Sequence, residues 1–372
     1  MASLIQTLDR HMSDALQKLG LVPFFTQQVA CAGVTKNRLG RVTSVQRSNF
    51  TVVCGGGKQS TGLSRALQQV MPVDRPTVGD WIVLDESLTK IEQVLARKSL
   101  FKRIGAGSDT KVQPIAANID TLFIVTSCNE EFKESRLERY LALCNEAGAT
   151  PVIVLTKTDL TDDIDTFVSR ARSVQAGVPI ETANALDPTT LDGVRAWING
   201  NSTVALVGSS GVGKSTLLNT LADNSLAATR EIREQDKKGR HTTTHRELHK
   251  LLSGGLIIDV PGMRELRVAE ITSSIGKVFE DIELLAIQCQ FTDCKHSTEP
   301  GCAVLQAIEE NKLDKRRLVS YQKLQRENAL ATATLAEKRA RERDFGKMVK
   351  ETKLLKQEKR NANLHNKHLQ AD

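Results

Sequence analysis

The sequence contains few aromatic residues and no long apolar run. Aromatic side chains make up 4% of its 372 residues, although apolar residues make up 40%, a balance that favours aliphatic α/β packing over an aromatic-rich sandwich. No apolar stretch approaches the roughly 20 residues that a membrane-spanning helix needs. The first twenty residues carry charges within their apolar face, so we expect neither a secretory signal nor an association with membranes.

The sequence also lacks the paired cysteine framework of small secreted domains. Its seven cysteines are an odd number, and the last three lie close together while the other four are scattered. This pattern is typical of a reduced, cytoplasmic protein in which the clustered cysteines bind a metal.

The order of the predicted elements indicates a multidomain chain, as its length suggests. After an N-terminal helical extension (1–30), residues 31–112 alternate short β-favouring runs with turns, which predicts an OB-fold β-barrel. The alternative for this region is an irregular β domain that binds nothing. Residues 113–275 alternate apolar strands with helices, predicted over 130–148 and 163–175, which indicates a central α/β domain with a parallel sheet. Residues 276–332 contain the clustered cysteines, and residues 333–372 form a basic helical tail.

The segment VALVGSSGVGKST predicts a phosphate-binding loop between a strand and a helix. Gly208, Gly213, Lys214 and Ser215 fit the pattern G-x-x-x-x-G-K-[ST] in the context that supports it. Glycines let backbone N–H groups curl round a β-phosphate at the positive end of a helix, Lys214 can reach the β- and γ-phosphates, and Ser215 can bind Mg²⁺. A glycine-rich turn with a chance lysine is the alternative. The predicted contacts are Gly208, Ser209, Ser210, Gly211, Val212, Gly213, Lys214, Ser215 and Thr216.

Two elements expected of a nucleoside triphosphate site follow this loop. The segment LIIDVPG places Asp259 at a strand end, where it can hold Mg²⁺, and Gly262 where a backbone N–H can contact the γ-phosphate. The polar segment 229–245 between them predicts a switch loop, in which one of the threonines 242–244 closes on Mg²⁺. We favour Thr243. An ordinary solvated surface loop is the alternative.

A base-recognition tetrad, Thr156-Lys157-Thr158-Asp159, follows the apolar run VIVL at the end of a predicted parallel strand. There Asp159 can accept hydrogen bonds from the guanine N1–H and amino groups while the stem of Lys157 covers the base. Adenine lacks this donor pair, so we predict a preference for GTP over ATP. The tetrad precedes the phosphate loop by about fifty residues. A parallel sheet tolerates this order if each strand end delivers its loop to one crevice, which indicates a circular permutation with residues 181–185 as a second base loop.

The clustered cysteines form part of a second predicted site. Cys289, Cys294, His296 and Cys302 lie within fourteen residues, and three thiolates with one imidazole are the composition of a structural zinc site. We therefore predict one structural Zn²⁺ per chain, besides the Mg²⁺ that accompanies GTP. Reduced cysteines without a ligand are the alternative.

With these motifs in this order, residues 31–330 resemble the RsgA (YjeQ/EngC) family of circularly permuted GTPases. The resemblance includes the segments GDWIVLD, QPIAANID, RYLALC, GSSGVGKST and GRHTTT, and the clustered cysteines. It implies an OB-fold, a permuted GTPase domain, a zinc-binding domain, and a role in late maturation of the small ribosomal subunit, which stimulates hydrolysis. Thr156 stands where the family usually has asparagine, and Val260 where it usually has a small polar residue. Since Asp159 and Asp259 remain, we expect altered affinity at most.

Hydrolysis is expected to be slow without an activator. Met263 occupies the position after Gly262 where many GTPases carry a glutamine that orients water, and a thioether cannot replace that amide. His241, just before the threonines, is the nearest candidate for this role, and the resemblance points to the same residue. A simple loop histidine is the alternative.

The basic tail predicts a contact with RNA. Residues 334–368 hold eleven Lys or Arg against five Asp or Glu, which supply six of the seven excess positive charges of the chain. Such a segment binds RNA through counterion release, although a solvated charged helix is the alternative. The resemblance favours ribosomal RNA.

Three functional hypotheses follow for what we expect to be a monomer. The leading one is a GTPase switch on the small ribosomal subunit, and its rival is an RNA-binding assembly module with structural GTP and incidental turnover. A nucleotide or metabolite kinase is disfavoured by the guanine tetrad.

Overall fold

The computed structural model describes residues 14–46, 49–55, 57–104, 112–222, 246–252, 254–259 and 271–332. Within these ranges, no helix is long and apolar enough to cross a lipid bilayer. Helix α1 (Pro23–Cys31) begins at a proline, whose fixed φ suits the first helical position. It buries Phe25 against Trp81, with ring centroids 5.6 Å apart.

The strands that follow form a closed barrel. They are β1 (Leu39–Gln46), β2 (Asn49–Cys54), β3 (Gly57–Leu63), β4 (Trp81–Leu84) and β5 (Lys90–Val94). β1 pairs with both β2 and β4, and the ring continues from β2 through β3 and β5 to β4. Helix α2 (Arg65–Gln69) connects β3 to β4, and its first turn is capped by Ser64, whose side chain accepts a hydrogen bond from the Leu67 N–H. This closed, five-stranded arrangement confirms the predicted OB-type barrel.

A parallel sheet follows the barrel, after an antiparallel pair formed by β6 (Leu100–Ile104) and β7 (Val112–Ala117). The strands of the parallel sheet are β8 (Thr121–Ser127), β9 (Thr150–Thr156), β10 (Ile180–Thr182), β11 (Thr203–Val207), β12 (Arg246–Lys250) and β13 (Leu256–Asp259). The order across the sheet is β10-β9-β8-β11-β13-β12, and all neighbours are parallel except β12 and β13. Neighbouring residues of β8, Phe123 and Ile124, belong to different core clusters, as expected for a strand covered on both faces.

Helices connect these strands, as the sequence predicts. They are α3 (Glu134–Ala147), α4 (Ile164–Arg172), α5 (Asp192–Ala196) and α6 (Lys214–Leu221). Helix α3 begins four residues later than the predicted 130–148, and it ends at Gly148, which adopts the left-handed conformation with φ +80° that closes many helices. Helix α4 is shorter than the predicted 163–175, and its first turn is capped by the side chain of Asp163.

The barrel and the parallel sheet are continuous through one short ladder. β12 pairs with β1 in antiparallel register, with Arg246 opposite Val45 and Glu247 opposite Ser44. The result is one eleven-stranded sheet that includes the barrel strands. Arg246 also donates through Nη1 to the carbonyl oxygens of Pro114, at 3.0 Å, and Ile115, at 3.3 Å.

Arg41 on β1 reinforces this junction from inside. Its side chain is buried, and its guanidinium donates to the carbonyl oxygens of Leu19, Gly79 and Asn118 and to the hydroxyl of Thr203, the first residue of β11. Burial lowers the pKa of Arg41 to about 10, against the opposing effect of two nearby aspartates, so the group stays charged at neutral pH. A buried cation requires such a set of acceptors, so Arg41 ties the barrel to the parallel sheet.

The remaining described residues form a helical C-terminal region. Its helices are α7 (Thr272–Val278), α8 (Glu280–Ala286), α9 (Ala303–Glu309) and α10 (Lys315–Thr332). Phe279 and Tyr321 pack edge to face, with ring centroids 5.5 Å apart. Both residues belong to the same core cluster as Leu137 and Leu141 of α3, so this region packs directly on the parallel sheet's own helices.

Candidate nucleotide and zinc sites

The predicted phosphate loop lies between β11 and α6, where the sequence places it. Gly208 has a φ of +153°, and a Cβ atom there would lie 2.2 Å from the carbonyl oxygen of Val125 on β8. Gly213 has a φ of +88° and directly precedes the first residue of α6. L-residues with side chains rarely adopt these conformations. The glycines therefore permit both the close approach to β8 and the turn into the helix.

Lys214 begins helix α6 and folds back over the loop. Its Nζ donates a hydrogen bond to the carbonyl oxygen of Ser209. The side chain is half-buried, whereas the neighbouring Ser215 and the loop residue Ser210 are exposed. A cation at a helix N-terminus beside exposed hydroxyls is an arrangement that can receive phosphate oxygens.

The base tetrad contacts the phosphate loop directly. Thr156 is the last residue of β9 and is fully buried. Its Oγ1 lies 2.6 Å from the carbonyl oxygen of Val212 in the phosphate loop and 3.1 Å from that of Thr126 on β8. Because a hydroxyl has one proton to donate, the shorter contact to Val212 is the principal hydrogen bond. The two predicted elements therefore form one site, although 56 positions separate these residues in the chain.

The rest of the tetrad turns outward from the strand end. Lys157 has a left-handed φ of +57° and is half-buried, and Thr158 begins a 3₁₀ turn that ends at Leu160. The side chain of Asp159 is exposed at this edge. An exposed carboxylate at this position can accept hydrogen bonds from a base that offers two donors.

The predicted second base loop reaches the same edge of the sheet. β10 pairs with β9 in parallel register, and the Ala183 N–H donates to the carbonyl oxygen of Leu155 at 2.9 Å. Thr220 on α6 donates its hydroxyl proton to the carbonyl oxygen of Ala185 at 2.7 Å. The loops after β10 and β11 are thus both hydrogen-bonded to the end of β9, and the loop after β10 is also hydrogen-bonded to the helix that follows the phosphate loop.

The structure describes only part of the elements that follow the phosphate loop. Asp259 is the last residue of β13, which lies beside β11 with Ile258 opposite Ala205. Its backbone therefore ends at the same edge as the phosphate loop. Thr243, His241, Gly262 and Met263 lie outside the described residues, so their roles stay predictions.

The four predicted metal ligands converge in the C-terminal region. The side-chain donor atoms of Cys289, Cys294, His296 and Cys302 all lie within 4.8 Å of one another. The Sγ of Cys289 lies 3.6 Å from the Nδ1 of His296 and 3.8 Å from the Sγ of Cys302. The Nδ1 of His296 and the Sγ of Cys302 are 3.3 Å apart. Zinc bonds of about 2.3 Å to sulfur and 2.0 Å to nitrogen in a tetrahedron separate ligand atoms by about 3.5 to 3.8 Å. The donor set therefore fits Zn²⁺ in composition and in spacing.

The polypeptide around these ligands is held by its own hydrogen bonds. Gln322 on α10 donates to the carbonyl oxygen of His296 at 3.0 Å, and the Sγ of Cys302 accepts from the Leu305 N–H at 3.5 Å. Backbone N–H groups, with that of Ser297 the strongest, lower the pKa of Glu299 to about 2. The turn between His296 and Cys302 is therefore organised by an ionised carboxylate at neutral pH.

One contact of the phosphate loop has no counterpart in the sequence motifs. Arg136 on α3 donates from Nη1 to the hydroxyl of Ser209 at 2.6 Å. No spacing rule links the two residues, since they are 73 positions apart. The sequence motifs therefore do not predict Arg136 as a site residue.

Removing the hydroxyl of Thr156 tests whether its hydrogen bond supports nucleotide binding. We expect Thr156→Val to weaken GDP binding about tenfold, or ~1.4 kcal/mol, because the buried carbonyl of Val212 loses its donor. Thr156→Asn keeps a donor group and should bind GTP at least as tightly as the original chain.

Equilibrium binding of a fluorescent guanine nucleotide measures both effects. Thr26→Val is a matched control, since the Thr26 hydroxyl is exposed and bonds only to Pro23 of its own helix among the described contacts. Unchanged affinity in Thr156→Val would show that the contact is dispensable.

Comparisons with known proteins agree with this geometry. A family model described as RsgA GTPase matches residues 94–269. A second model, described as ABC transporter, matches residues 191–369, a stretch that includes the phosphate loop but excludes the base tetrad. Solved structures similar in fold include YjeQ from Thermotoga maritima, with a TM-score of 0.57 and 27% identity over 77% of this chain and 96% of that one. YloQ, titled a circularly permuted GTPase, matches with a TM-score of 0.54 and 25% identity over 80% and 96%.

Curated relatives cover nearly the whole chain. Small ribosomal subunit biogenesis GTPase RsgA 2 of Vibrio parahaemolyticus is 46% identical over 91% of this chain and 92% of its own length. RsgA 1 of Listeria innocua is 42% identical over 84% and 89%. The chain is therefore a P-loop GTPase that belongs to the RsgA family.

Proposed function

We propose that this GTPase binds the small ribosomal subunit in its GTP form, acts in late maturation of the subunit, and leaves after hydrolysis to GDP and phosphate. The observation that carries the proposal is the hydrogen bond between Thr156 and Val212, which joins a guanine tetrad to a phosphate loop. The relatives named as small ribosomal subunit biogenesis GTPases support the choice of partner.

In this proposal, guanine is selected at the edge formed by β9 and β10. The exposed carboxylate of Asp159 accepts from the N1–H and the amino group, and the stem of Lys157 covers the base. Adenine would cover the carboxylate without supplying its two donors, and an acceptor that a bound base shields from water but leaves unpaired costs about 1–3 kcal/mol. GTP is therefore preferred over ATP.

The phosphates would lie on the loop between β11 and α6. Backbone N–H groups of residues 208–216 and the ammonium of Lys214 contact the β- and γ-phosphates, for which Lys214 turns from the Ser209 carbonyl. Ser215 and Asp259 would hold Mg²⁺, with Thr243 in the triphosphate state, and the ion supplies charge neutralisation to the leaving diphosphate. The backbone N–H of Gly262 is the proposed sensor of the γ-phosphate.

Hydrolysis would depend on the activating subunit. Since Met263 cannot orient water by hydrogen bonding, we assign that role to His241, which an activator brings into place. The intrinsic rate is then low, and the bound subunit raises it.

The zinc site would be structural. Cys289, Cys294, His296 and Cys302 complete a four-ligand shell, which leaves no open position for a reacting water. One Zn²⁺ would then tie the segment before α9 to the end of α8.

The basic tail (333–372) would bind ribosomal RNA through its excess positive charge. We propose that the protein works as a monomer in the cytoplasm, where its small-subunit partner is assembled. A lower affinity for the subunit at raised salt, and upon deletion of the tail, is what this contact requires.

Turnover of GTP and ATP, with and without purified small subunits, tests the proposed function. We expect slow GTP hydrolysis alone, a large increase with subunits, and little ATP turnover under either condition. Phosphate release under multiple turnover is the measurement. GTP binding without any stimulation by subunits would instead favour an RNA-binding assembly module with structural GTP.

His241 can be tested against a neighbouring histidine. We expect His241→Ala to abolish most of the stimulation by subunits while leaving GTP binding intact, because the substitution removes the group that positions water. His245→Ala, four residues away in the same segment, is the control and should keep the stimulation. Normal stimulated turnover in His241→Ala excludes this role.

Metal analysis tests the zinc site. The purified chain should contain one zinc per molecule by atomic emission, and Cys294→Ser should lose it upon dialysis against a chelator because one thiolate is missing. Cys31→Ser is the control, since Cys31 is exposed and far from the cluster in sequence. Absence of zinc from the original chain, or full retention in Cys294→Ser, would contradict the assignment.

A further inference from the structure

Helix α3 contacts the phosphate loop at its first turn. Arg136 donates from one nitrogen, Nη1, to the hydroxyl of Ser209 at 2.6 Å, to the carboxylate of Glu131 at 2.9 Å and to the carbonyl oxygen of Glu131 at 3.3 Å. The hydrogen bond from Arg136 keeps the pKa of Glu131 below its usual range. Glu131 is thus an ionised second acceptor of the same guanidinium nitrogen, at the exposed surface beside the loop.

Ser209 receives a second cation on its other polar group. Its carbonyl oxygen accepts from the ammonium of Lys214, the residue proposed to contact the phosphates. Hydrogen bonds from charged donors are stronger than those between neutral groups. The position of Ser209 therefore depends on Arg136 through its hydroxyl, and its carbonyl oxygen holds Lys214 until the ammonium turns to the phosphates.

Two residues beyond Arg136, the same helix carries a buried charge. Glu138 is fully buried and accepts from Arg316, at 3.1 and 3.2 Å, and from Arg317, at 3.3 Å. Both arginines begin α10 in the C-terminal region. A buried carboxylate that loses its cations is strongly destabilised, so α3 and α10 must move together or stay together.

Arg317 extends this network to the helix that precedes the zinc ligands. It forms two hydrogen bonds to the carboxylate of Asp281 on α8, at 2.6 and 2.8 Å, and donates to the carbonyl oxygen of Val278 at 2.7 Å. Farther along α3, Arg139 pairs with Glu327 of α10 at 2.7 Å. Buried Glu138 thus joins α3 directly to α10, and Arg317 of α10 extends the ionic contacts to α8.

Apolar packing reinforces these contacts. Leu137 and Leu141 of α3 share one core cluster with Phe279, Leu318 and Leu324 of the C-terminal region. Close-packed interiors transmit displacements instead of absorbing them. A movement of the C-terminal helices is therefore passed to α3, whose first turn holds the phosphate loop.

We propose that α3 couples the zinc-bearing C-terminal region to the phosphate loop, and that Arg136 is the positioning residue that makes the connection through Ser209. This inference deepens the proposed function and rests on it, because the coupling lets a partner bound to the C-terminal region change nucleotide affinity. Coupling of this kind is reciprocal. Nucleotide in the loop must then stabilise the C-terminal helices as well.

A double-mutant cycle tests the connection at the loop. We expect Arg136→Ala to weaken GDP binding about three- to tenfold, as for loss of a partly exposed, charge-assisted hydrogen bond. In the Ser209→Ala background, Arg136→Ala should cause no further loss, because its acceptor is already gone. Arg136→Lys keeps a charged donor and should restore part of the affinity.

Glu131→Ala is the control that separates the two contacts of Arg136. It removes the carboxylate but leaves Ser209 in place, so GDP affinity should stay near that of the original chain. If Arg136 only stabilised the start of α3, its substitution would weaken binding equally in both backgrounds. That additive result overturns the proposal.

Hydrogen exchange tests the transmission to the C-terminal region. GDP should slow amide exchange in residues 203–222 and in residues 315–332 of the original chain. In Arg136→Ala at saturating GDP, the slowing should remain in 203–222 and disappear from 315–332. Equal slowing of 315–332 in both proteins, or none in the original chain, overturns the coupling.

Loss of nucleotide binding and loss of the coupling give different experimental results. If the original chain binds neither GDP nor GTP, the proposed function fails and the coupling fails with it. If GDP binds tightly but the cycle is additive or exchange at 315–332 does not respond, the proposed function stands and only the role of Arg136 is lost.

Discussion

The short hydrogen bond from Thr156 to the carbonyl oxygen of Val212 joins the two halves of the nucleotide site. It connects the end of β9 to the loop after β11, across the intervening strand β8. In a parallel sheet all strands end at one edge, so loops from distant parts of the chain meet there. The site depends on which strands are neighbours in the sheet. A permuted order of motifs along the chain can therefore build the same site.

The barrel is attached to this site at a particular strand. β1 pairs with β12, which precedes β13 and Asp259 in the chain and lies at the edge of the parallel sheet. The ladder is short, with two residue pairs, and Arg41 and Arg246 supplement it with hydrogen bonds to carbonyl oxygens. Burial, and then the charge of Arg103, lower the pKa of Arg246 to about 10, so it remains a cation in this setting.

The C-terminal region is attached to the parallel sheet through α3. Here the connection is buried and ionic, with Glu138 shared by Arg316 and Arg317. Such pairs contribute little net stability compared with apolar residues, but they define one geometry because a misplaced partner leaves a buried charge. The sheet that carries the candidate nucleotide site is thus fixed to the barrel through β12 and to the C-terminal region through α3.

The sequence by itself determined the motifs whose residues lie close together in the chain. The phosphate loop and the four zinc ligands each lie within a short segment, so their spacing is set by the covalent chain and the adjoining strand or helix. The predicted barrel and parallel sheet are confirmed, and both motifs have a geometry that suits their predicted roles, although those roles stay predictions. The ends of α3 and α4 were predicted less well, because Gly148 and the Asp163 cap set them through individual backbone conformations.

Long-range contacts were decided only by the tertiary structure. In the sequence, Thr156 is only a departure from the asparagine usual in the family, whereas in the structure its hydroxyl donates to the carbonyl oxygen of Val212. Glu138 lies in a charged helix segment, and nothing in that segment indicates a buried ion network. The same holds for Arg136 and for the ladder between β1 and β12. Such contacts depend on how the elements pack in the folded chain. Thr156 and Val212 are separated by 56 positions, and Arg136 and Ser209 by 73, so no motif spacing predicts that either pair is in contact.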